Sequence, residues 1–143
     1  MNGTRKLTAL KRAMALAAML ATSGTALAKN GNSGVPADLS PDRTRATVTV
    51  SVQCDSVTQA PSGALSVYIF QPSGRLLNIG IANDTVTCTN PAVPQNIVVT
   101  VNAISGLTFK PGPATLIVRL TTIDPITTLP TVSESGSQVD LHP

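Results

Sequence analysis

The sequence predicts an all-β protein, an antiparallel β-sandwich of about seven short strands with one disulfide. Apolar and polar residues alternate with the period of two of a strand in one segment after another, and no segment has helical periodicity. Turn-forming Gly, Pro, Asn and Asp separate these segments. Cys54 and Cys88, the two cysteines, each stand at the end of an alternating run, in step with its apolar residues. Both sulfurs are therefore expected on the buried face.

Residues 1–28 are typical of a secretory signal peptide. The first twelve residues contain four basic side chains and no acid, residues 13–21 are apolar, and Ala26-Leu27-Ala28 supplies the small-residue cleavage pattern. Cleavage is predicted after Ala28, which gives a secreted or periplasmic protein. The alternative is an uncleaved anchor helix, which the apolar run is too short to favour.

Removal of the signal would change the sign of the net charge. The full chain has a formal charge of +3, but four of its ten Lys and Arg residues lie in the signal. The remaining chain has six basic and seven acidic residues, which gives a net charge of −1. Nucleic acid is therefore not an expected partner, because its recognition begins with a basic patch.

Residues 29–44 are expected to form a flexible leader, and residues 45–143 a single folded domain. The leader is polar, rich in Gly, Pro and Asn, and shows no periodicity. The strands of the domain are predicted, in chain order, at Ala46–Cys54, Leu65–Gln71, Arg75–Ala82, Thr85–Cys88, Asn96–Ile104, Ala114–Ile123 and Ser137–His142.

The first two predicted strands differ in their faces. Ala46–Cys54 has apolar side chains at its even positions and polar ones between them. Leu65–Gln71 is apolar on both faces, because Tyr68 and Phe70 alternate with aliphatic residues. Such a strand is either covered on both sides or presents an exposed aromatic patch. Gln71-Pro72-Ser73-Gly74 then predicts a hairpin turn.

The next two predicted strands are joined by a tight connection. In Arg75–Ala82 the odd positions 77, 79 and 81 are Leu or Ile and are predicted to face inward. Gly80 between them indicates a bulge or a close neighbour. Asn83-Asp84 predicts a two-residue connection to Thr85–Cys88.

The last three predicted strands complete an aliphatic core. Asn96–Ile104 and Ala114–Ile123 each present a row of Val, Ile or Leu on one face. Residues 124–136 contain two prolines and are the longest predicted connection before Ser137–His142. Because the chain has no Trp and only three aromatic residues, the core is expected to be aliphatic.

Export would place both cysteines in an oxidising compartment, where such a pair is expected to form a disulfide. In the chain-entropy model, a closed loop of about 35 residues is worth roughly 3.8 kcal/mol. The alternative is two separately buried free thiols.

The residues that most catalytic and metal sites need are scarce. His142 is the only histidine and lies one residue from the C-terminus, so a solvated tail histidine is expected rather than a catalytic base. Zinc, copper and non-haem iron sites need clusters of His and Cys. No glycine-rich phosphate loop opens a helix. We therefore expect no catalytic residue, no metal and no cofactor.

A hydrolase with paired carboxylates is the one enzyme class that the composition leaves open. Asp55, Asp84 and Asp124 are the candidate acids. All three are expected at strand ends or in turns, where Asp commonly bonds to the backbone, and that interpretation is the favoured one.

A binding patch is the remaining functional hypothesis. Tyr68, Phe70, Arg75 and Arg119 would share one outer surface if the three strands that carry them are neighbours. The alternative is that Tyr68 and Phe70 pack beneath a loop or a second sheet.

Five short motifs lie along the domain: Cys54-Asp55, Gly63-Ala64-Leu65-Ser66-Val67, Gln71 with Gly74-Arg75, Val86-Thr87-Cys88-Thr89, and Phe109-Lys110-Pro111-Gly112-Pro113-Ala114. With them, the stretch from about Ala46 to Leu141 resembles a family of small secreted bacterial Ig-like domains of unknown function. The resemblance implies an Ig-like β-sandwich and supplies no activity and no catalytic residue. Since the cysteine spacing is shorter than in true immunoglobulin domains, the bridge would join either the two sheets or neighbouring strands.

Three functional hypotheses follow. The leading one is a secreted, non-enzymatic module, expected to be a monomer, that binds a protein or glycan at the cell envelope or outside the cell and does not span a membrane once the signal is removed. The alternatives are a structural subunit of a surface fibre and the carboxylate-based hydrolase.

Overall fold

The computed structural model describes residues 32–54, 60–89, 92–104 and 106–143, and of residues 32–36 only the backbone course. The predicted signal peptide and Asp55 lie outside this part of the chain. Seven strands make up the described fold: β1 (Asn32–Leu39), β2 (Arg45–Val52), β3 (Ser62–Ser73), β4 (Leu76–Thr87), β5 (Gln95–Ala103), β6 (Gly112–Ile123) and β7 (Pro130–His142).

The seven strands form one closed barrel. Their order around it is β1-β2-β5-β4-β3-β6-β7, and the parallel pairing of β1 with β7 through Ala37↔Leu141 and Asp38↔His142 closes the circle. All other neighbours are antiparallel. The all-β prediction is confirmed, but the predicted Ig-like sandwich is wrong. A closed sheet has one continuous inner face, whereas a sandwich has two facing sheets.

Strand β1 lies within the segment that was expected to be a flexible leader. Val35, Ala37 and Leu39 do alternate, but Pro36 hides the pattern. The register with β2 shifts between Gly34 and Ala37, and such an irregularity accommodates a proline that has no N–H to donate. Ala37 and Leu39 are buried in the core. The predicted leader therefore contributes the strand that closes the barrel.

Strand β4 replaces two predicted strands. Asn83 and Asp84, predicted as a tight connection, lie inside β4 and pair with Ser66 and Leu65 of β3. The inward parity is also opposite to the prediction: Asn78, Gly80 and Ala82 face the interior, and Ile79 and Ile81 face outward. The strongest apolar residues of this strand therefore do not enter the core.

Strand β7 is longer than predicted because residues 130–136 belong to it. The connection from β6 is a short turn, and β7 pairs with β6 from Ile123↔Pro130 to Gly112↔Leu141. Ser, Glu and Gly dominate its first half, so the strand lacks the apolar alternation that marks the others.

The core fills the barrel interior. It is mostly Val, Leu and Ala, as predicted, but its largest fully buried side chain is Phe109, from the connection between β5 and β6. The Phe109 ring lies against Gly80 and Val101, since a Cβ built at Gly80 would lie 2.5 Å from Phe109 Cζ and 2.8 Å from Val101 Cγ1. The prediction of a close neighbour at Gly80 is thus confirmed.

Two buried amides hold the segment around Phe109 in place. The Asn78 Nδ2 donates to Thr108 O at 2.7 Å, and the Gln71 Nε2 donates to Lys110 O at 2.6 Å. The Lys110 N–H donates back to Gln71 Oε1 at 2.8 Å. Phe109 N donates to Arg43 O at 2.9 Å, so the connection is bonded on both sides of the ring.

Candidate functional site

The disulfide between Cys54 and Cys88 is formed, as predicted. The two Cα atoms are 5.6 Å apart. The bridge connects the chain just after β2 to the chain just after β4. In the barrel, β5 lies between these two strands, so neither expected placement of the bridge is right. Cys54 belongs to the buried core cluster, and Cys88 packs against it. The bridge is an element of the scaffold.

The disulfide lies beside one of the two places in the barrel where neighbouring strands pair through only two residue pairs. Strands β4 and β5 pair only through Gly80↔Ala103 and Ile81↔Asn102. Further along β4, Asp84 has the inward parity of Ala82 and Val86, but it is exposed while they are buried. At the far end Gln95 Nε2 donates to Thr87 O at 2.7 Å, close in sequence to the bridge.

The structure brings three of the four predicted patch residues onto one outer surface. Strands β4, β3 and β6 are consecutive neighbours, which is the condition that the prediction required. Tyr68 and Phe70 lie on β3, half-buried, with ring centroids 6.3 Å apart and ring planes inclined by 20°. Arg119 of β6 pairs with Ser66, one outward position from Tyr68.

Arg75 lies apart from the other three. It occupies the turn between β3 and β4, next to Gly74, whose φ is 62°. From Ser66, the partner of Arg119, the strand runs on for about 25 Å before it reaches this turn. Arg75 and Arg119 therefore flank the aromatic pair from opposite ends.

Three isoleucines complete the surface. Ile81 and Ile117 are the cross-strand partners of Tyr68, and Ile79 is a partner of Phe70. All three are half-buried. We call Tyr68, Phe70, Ile79, Ile81 and Ile117 the outer patch. Sequence reasoning left Ile79 and Ile81 out of the patch because it assigned both to the core.

Polar cross-strand pairs border the outer patch at one end and along β6 and β7, while the next outward pair at the other end, Pro72↔Leu77, is apolar. The Ser66 hydroxyl donates to Asn83 Oδ1 at 2.9 Å, across β3 and β4. On the other side, Arg119 is the cross-strand partner of Glu134. Gln138 Nε2 donates to Thr115 Oγ1 at 3.3 Å, also across β6 and β7. Polar groups therefore border the apolar centre at one end and on the β7 side.

The two candidate carboxylates that the structure describes, Asp84 and Asp124, do not converge. Asp84 and Asp124 are separated by β3, and the pairs Leu65↔Asp84 and Gly63↔Thr122 offset them along the barrel. That offset is on the order of 13 Å, larger than the spacing of the paired carboxyls of glycosidases. Asp124 accepts hydrogen bonds from the N–H groups of Thr127 and Ile126, which lower its pKa.

His142 lies near the end of β7 with its side chain half exposed. Its Nε2 is 3.9 Å from Asp140 Oδ2. In the part of the chain that the structure describes, no three His, Cys, Asp or Glu side chains come together as a metal site. Among the same residues, no helix has the length and apolar character needed to cross a membrane.

In comparisons with known proteins, no family model, no curated protein and no solved structure matches the chain. The resemblance to small secreted bacterial Ig-like domains therefore stays an expectation, and the sandwich that it implied is replaced by the barrel.

Proposed function

We propose that the protein is a secreted, non-enzymatic module that binds another protein at the cell envelope or outside the cell, through the outer patch. The observation that carries the proposal is the arrangement of two stacked aromatic rings and three isoleucines on three adjacent strands. Half-buried rings on a sheet face supply large contact area with little loss of side-chain freedom when a partner binds.

The border of the outer patch supports a protein as the ligand. Protein interfaces combine an apolar centre with a polar rim, and the pairs Ser66–Asn83, Arg119–Glu134 and Thr115–Gln138 provide part of such a rim. A glycan would need hydrogen-bonding groups at the centre of its site. Here the centre offers only the Tyr68 hydroxyl among four hydrocarbon side chains.

The fibre-subunit alternative receives no support from strand β1. Donor-strand assembly needs an N-terminal strand that completes the sheet of a neighbouring subunit. Strand β1 instead pairs with β2 and β7 of its own chain and buries Ala37 and Leu39 in its own core.

A charge placed in the outer patch tests the proposal. Envelope and secreted fractions are passed over the immobilised protein, its Ile117→Lys variant and a control variant, Val98→Lys. Val98 is 66% exposed on β5, away from the patch, so the control adds the same charge elsewhere. We expect a defined protein to be retained by the wild type and the control but not by Ile117→Lys.

Retention of the same proteins by all three forms would contradict the proposal, as would retention of no protein by the wild type. Circular dichroism and thermal unfolding of each variant show whether the barrel is intact, because loss of binding counts only for a folded protein.

A further inference from the structure

The turn between β6 and β7 ends in a cluster of exposed branched aliphatic side chains. Ile123 is 58% exposed, Ile126 74%, Leu129 65% and Val132 47%. We call these four residues and the turn between them the hairpin tip. Strand β3 begins at Ser62 and pairs with β6 only as far as Gly63↔Thr122, so Ile123 and the turn extend past the last shared pair with β3. Val132, the partner of Thr121, lies just inside that limit on the outer face.

We infer that the hairpin tip is a membrane-surface anchor that inserts its aliphatic side chains into a zwitterionic lipid interface. This surface is distinct from the outer patch, and the inference does not depend on the proposed protein partner. Three observations carry it: the hydrogen bonding of the turn, its charge and its area.

The turn satisfies its own backbone amides. The Asp124 carboxylate accepts the N–H groups of Ile126 at 2.7 Å and Thr127 at 3.0 Å. Thr128 N donates to Asp124 O at 2.8 Å, and Asp124 N donates to Leu129 O at 3.1 Å.

The two remaining positions of the turn complete this pattern. Leu129 N lies 3.5 Å from the Thr127 hydroxyl, and Pro125 has no N–H. A backbone that enters an apolar phase must have its polar groups paired internally, and this turn meets that requirement for its donors. A surface that stays in water has no such need, since water satisfies exposed amides.

The charges near the tip select the kind of lipid. From Leu120 to the C-terminus the chain has no Lys and no Arg, while Asp124 lies in the turn itself and Glu134 two residues beyond Val132. Anionic lipid surfaces attract clusters of basic residues and would repel this end of the barrel. A zwitterionic headgroup layer does not, and its cationic groups complement Asp124.

The area of the tip is too small for a stable contact with a second copy. At the exposed fractions given above, four such side chains present on the order of 400 Å², about half of what each partner contributes to a standard protein interface. An area of this size is suited to weak and reversible attachment, comparable in kind to that of a single lipid chain.

The absence of Trp from the sequence allows a direct test. In Ile126→Trp the only indole of the chain would lie in the tip, and in Val98→Trp it would lie on β5. We expect phosphatidylcholine vesicles to shift the Ile126→Trp emission to the blue and brominated lipids to quench it. Neither effect is expected for Val98→Trp.

Partition coefficients supply the second readout. Exchange of Ile126 and Leu129 for Ser should lower binding to phosphatidylcholine vesicles about tenfold for each residue, whereas Val98→Ser should leave it unchanged. Addition of phosphatidylglycerol should weaken binding. Residues 13–21 would bind lipid themselves if they were retained, so intact mass is used to identify the N-terminus of each preparation. Variants are compared only between preparations with the same N-terminus.

Three results would overturn the inference. The first is equal partition of the Ser variants and the wild type. The second is binding that appears only with anionic lipid. The third is a wild type that binds neither vesicle type. If that protein also self-associates with rising concentration in the ultracentrifuge, and Leu129→Ser abolishes the self-association, the hairpin tip is a contact between copies instead.

Discussion

The ring of Phe109, from the β5–β6 connection, packs directly against Gly80 of β4 inside the barrel. A Cβ on Gly80 would lie 2.5 Å from Phe109 Cζ, a separation that real Cβ atoms do not show. The ring is fully buried, and Val101 Cγ1 would lie 2.8 Å from the same Cβ. The absence of a side chain at Gly80 therefore leaves the room that the Phe109 ring fills.

Gly80→Ala should destabilise the protein because one methyl group is forced into an occupied space. We expect a loss of about 1–3 kcal/mol in the free energy of unfolding. Phe109→Leu alone should lose a similar amount through the void that it leaves. In the double variant the smaller Leu makes room for the methyl group, so the two losses should not add. Urea unfolding of the four forms measures the coupling, and strict additivity would show that the two sites are independent.

Gln71 should stabilise the same connection through its two hydrogen bonds to Lys110. Gln71→Met keeps the side-chain volume but leaves the Lys110 N–H and C=O without their partner, which should cost about 1–3 kcal/mol. Amide hydrogen exchange should show faster exchange at Lys110. Gln138→Met is the matched control, because Gln138 bonds an exposed hydroxyl and should matter little. Equal effects of the two exchanges would contradict the assignment.

The sequence allowed the strands to be predicted wherever apolar alternation and burial coincide. The predicted bounds of β2 and β5 differ from the observed ones by one or two residues. Alternation failed for β4, because the buried face carries Asn78 and Gly80 while the isoleucines face outward. The reason is tertiary: a ring and a backbone segment from a distant connection fill that face, and no local pattern reports them.

Closure of the barrel was equally hidden in the sequence. A sandwich and a barrel both need one apolar face on each strand, so alternation does not distinguish them. The difference depends on two residue pairs between β1 and β7, one of them Ala37↔Leu141. Likewise the aromatic pair of the outer patch was predicted, but Ile79 and Ile81 could be assigned to the patch only once the parity of β4 was known.

Thr122 should be replaceable by Val with a gain in stability. Its side chain is fully buried, and its hydroxyl is the one buried side-chain polar atom without a hydrogen-bond partner among the described residues. A buried hydroxyl without a partner costs about 1–3 kcal/mol, and Val has nearly the same shape. We expect Thr122→Val to raise the free energy of unfolding by about 1 kcal/mol. A lower melting temperature than that of the wild type would show that the hydroxyl has a partner.

The turn before β2 should make stability depend on pH in the acid range. Hydrogen bonds to the Asp42 carboxylate lower its pKa to about 2. The largest effect comes from the Ser40 hydroxyl, and smaller ones come from the side chain and the N–H of Thr44. Because the pKa is lower in the folded state, the contribution of the carboxylate is complete above the unfolded pKa of about 4 and is lost as pH falls toward 2.

Asp42→Asn removes this titration from the turn. The wild type should be more stable than the variant at pH 5, and the difference should shrink at pH 2.5. The urea midpoints of both proteins at the two pH values give the comparison. Asp84→Asn, an exchange at another exposed aspartate, serves as the control for the change in charge. A difference that is the same at both pH values would contradict the role of the carboxylate.

Reduction of Cys54–Cys88 should destabilise the barrel. The bridge closes a loop with a sequence separation of 34 residues, for which loop entropy alone predicts roughly 3.8 kcal/mol. It also joins the ends of β2 and β4 where the β4–β5 ladder is reduced to two pairs, so amides of β5 near Ile97 should exchange faster after reduction. Urea unfolding with and without reductant, with a thiol assay to confirm reduction, measures the loss. Cys54→Ala/Cys88→Ala should behave like the reduced protein and should not respond to reductant. An unchanged midpoint in fully reduced protein would show that the strand ladder alone holds this part of the barrel closed.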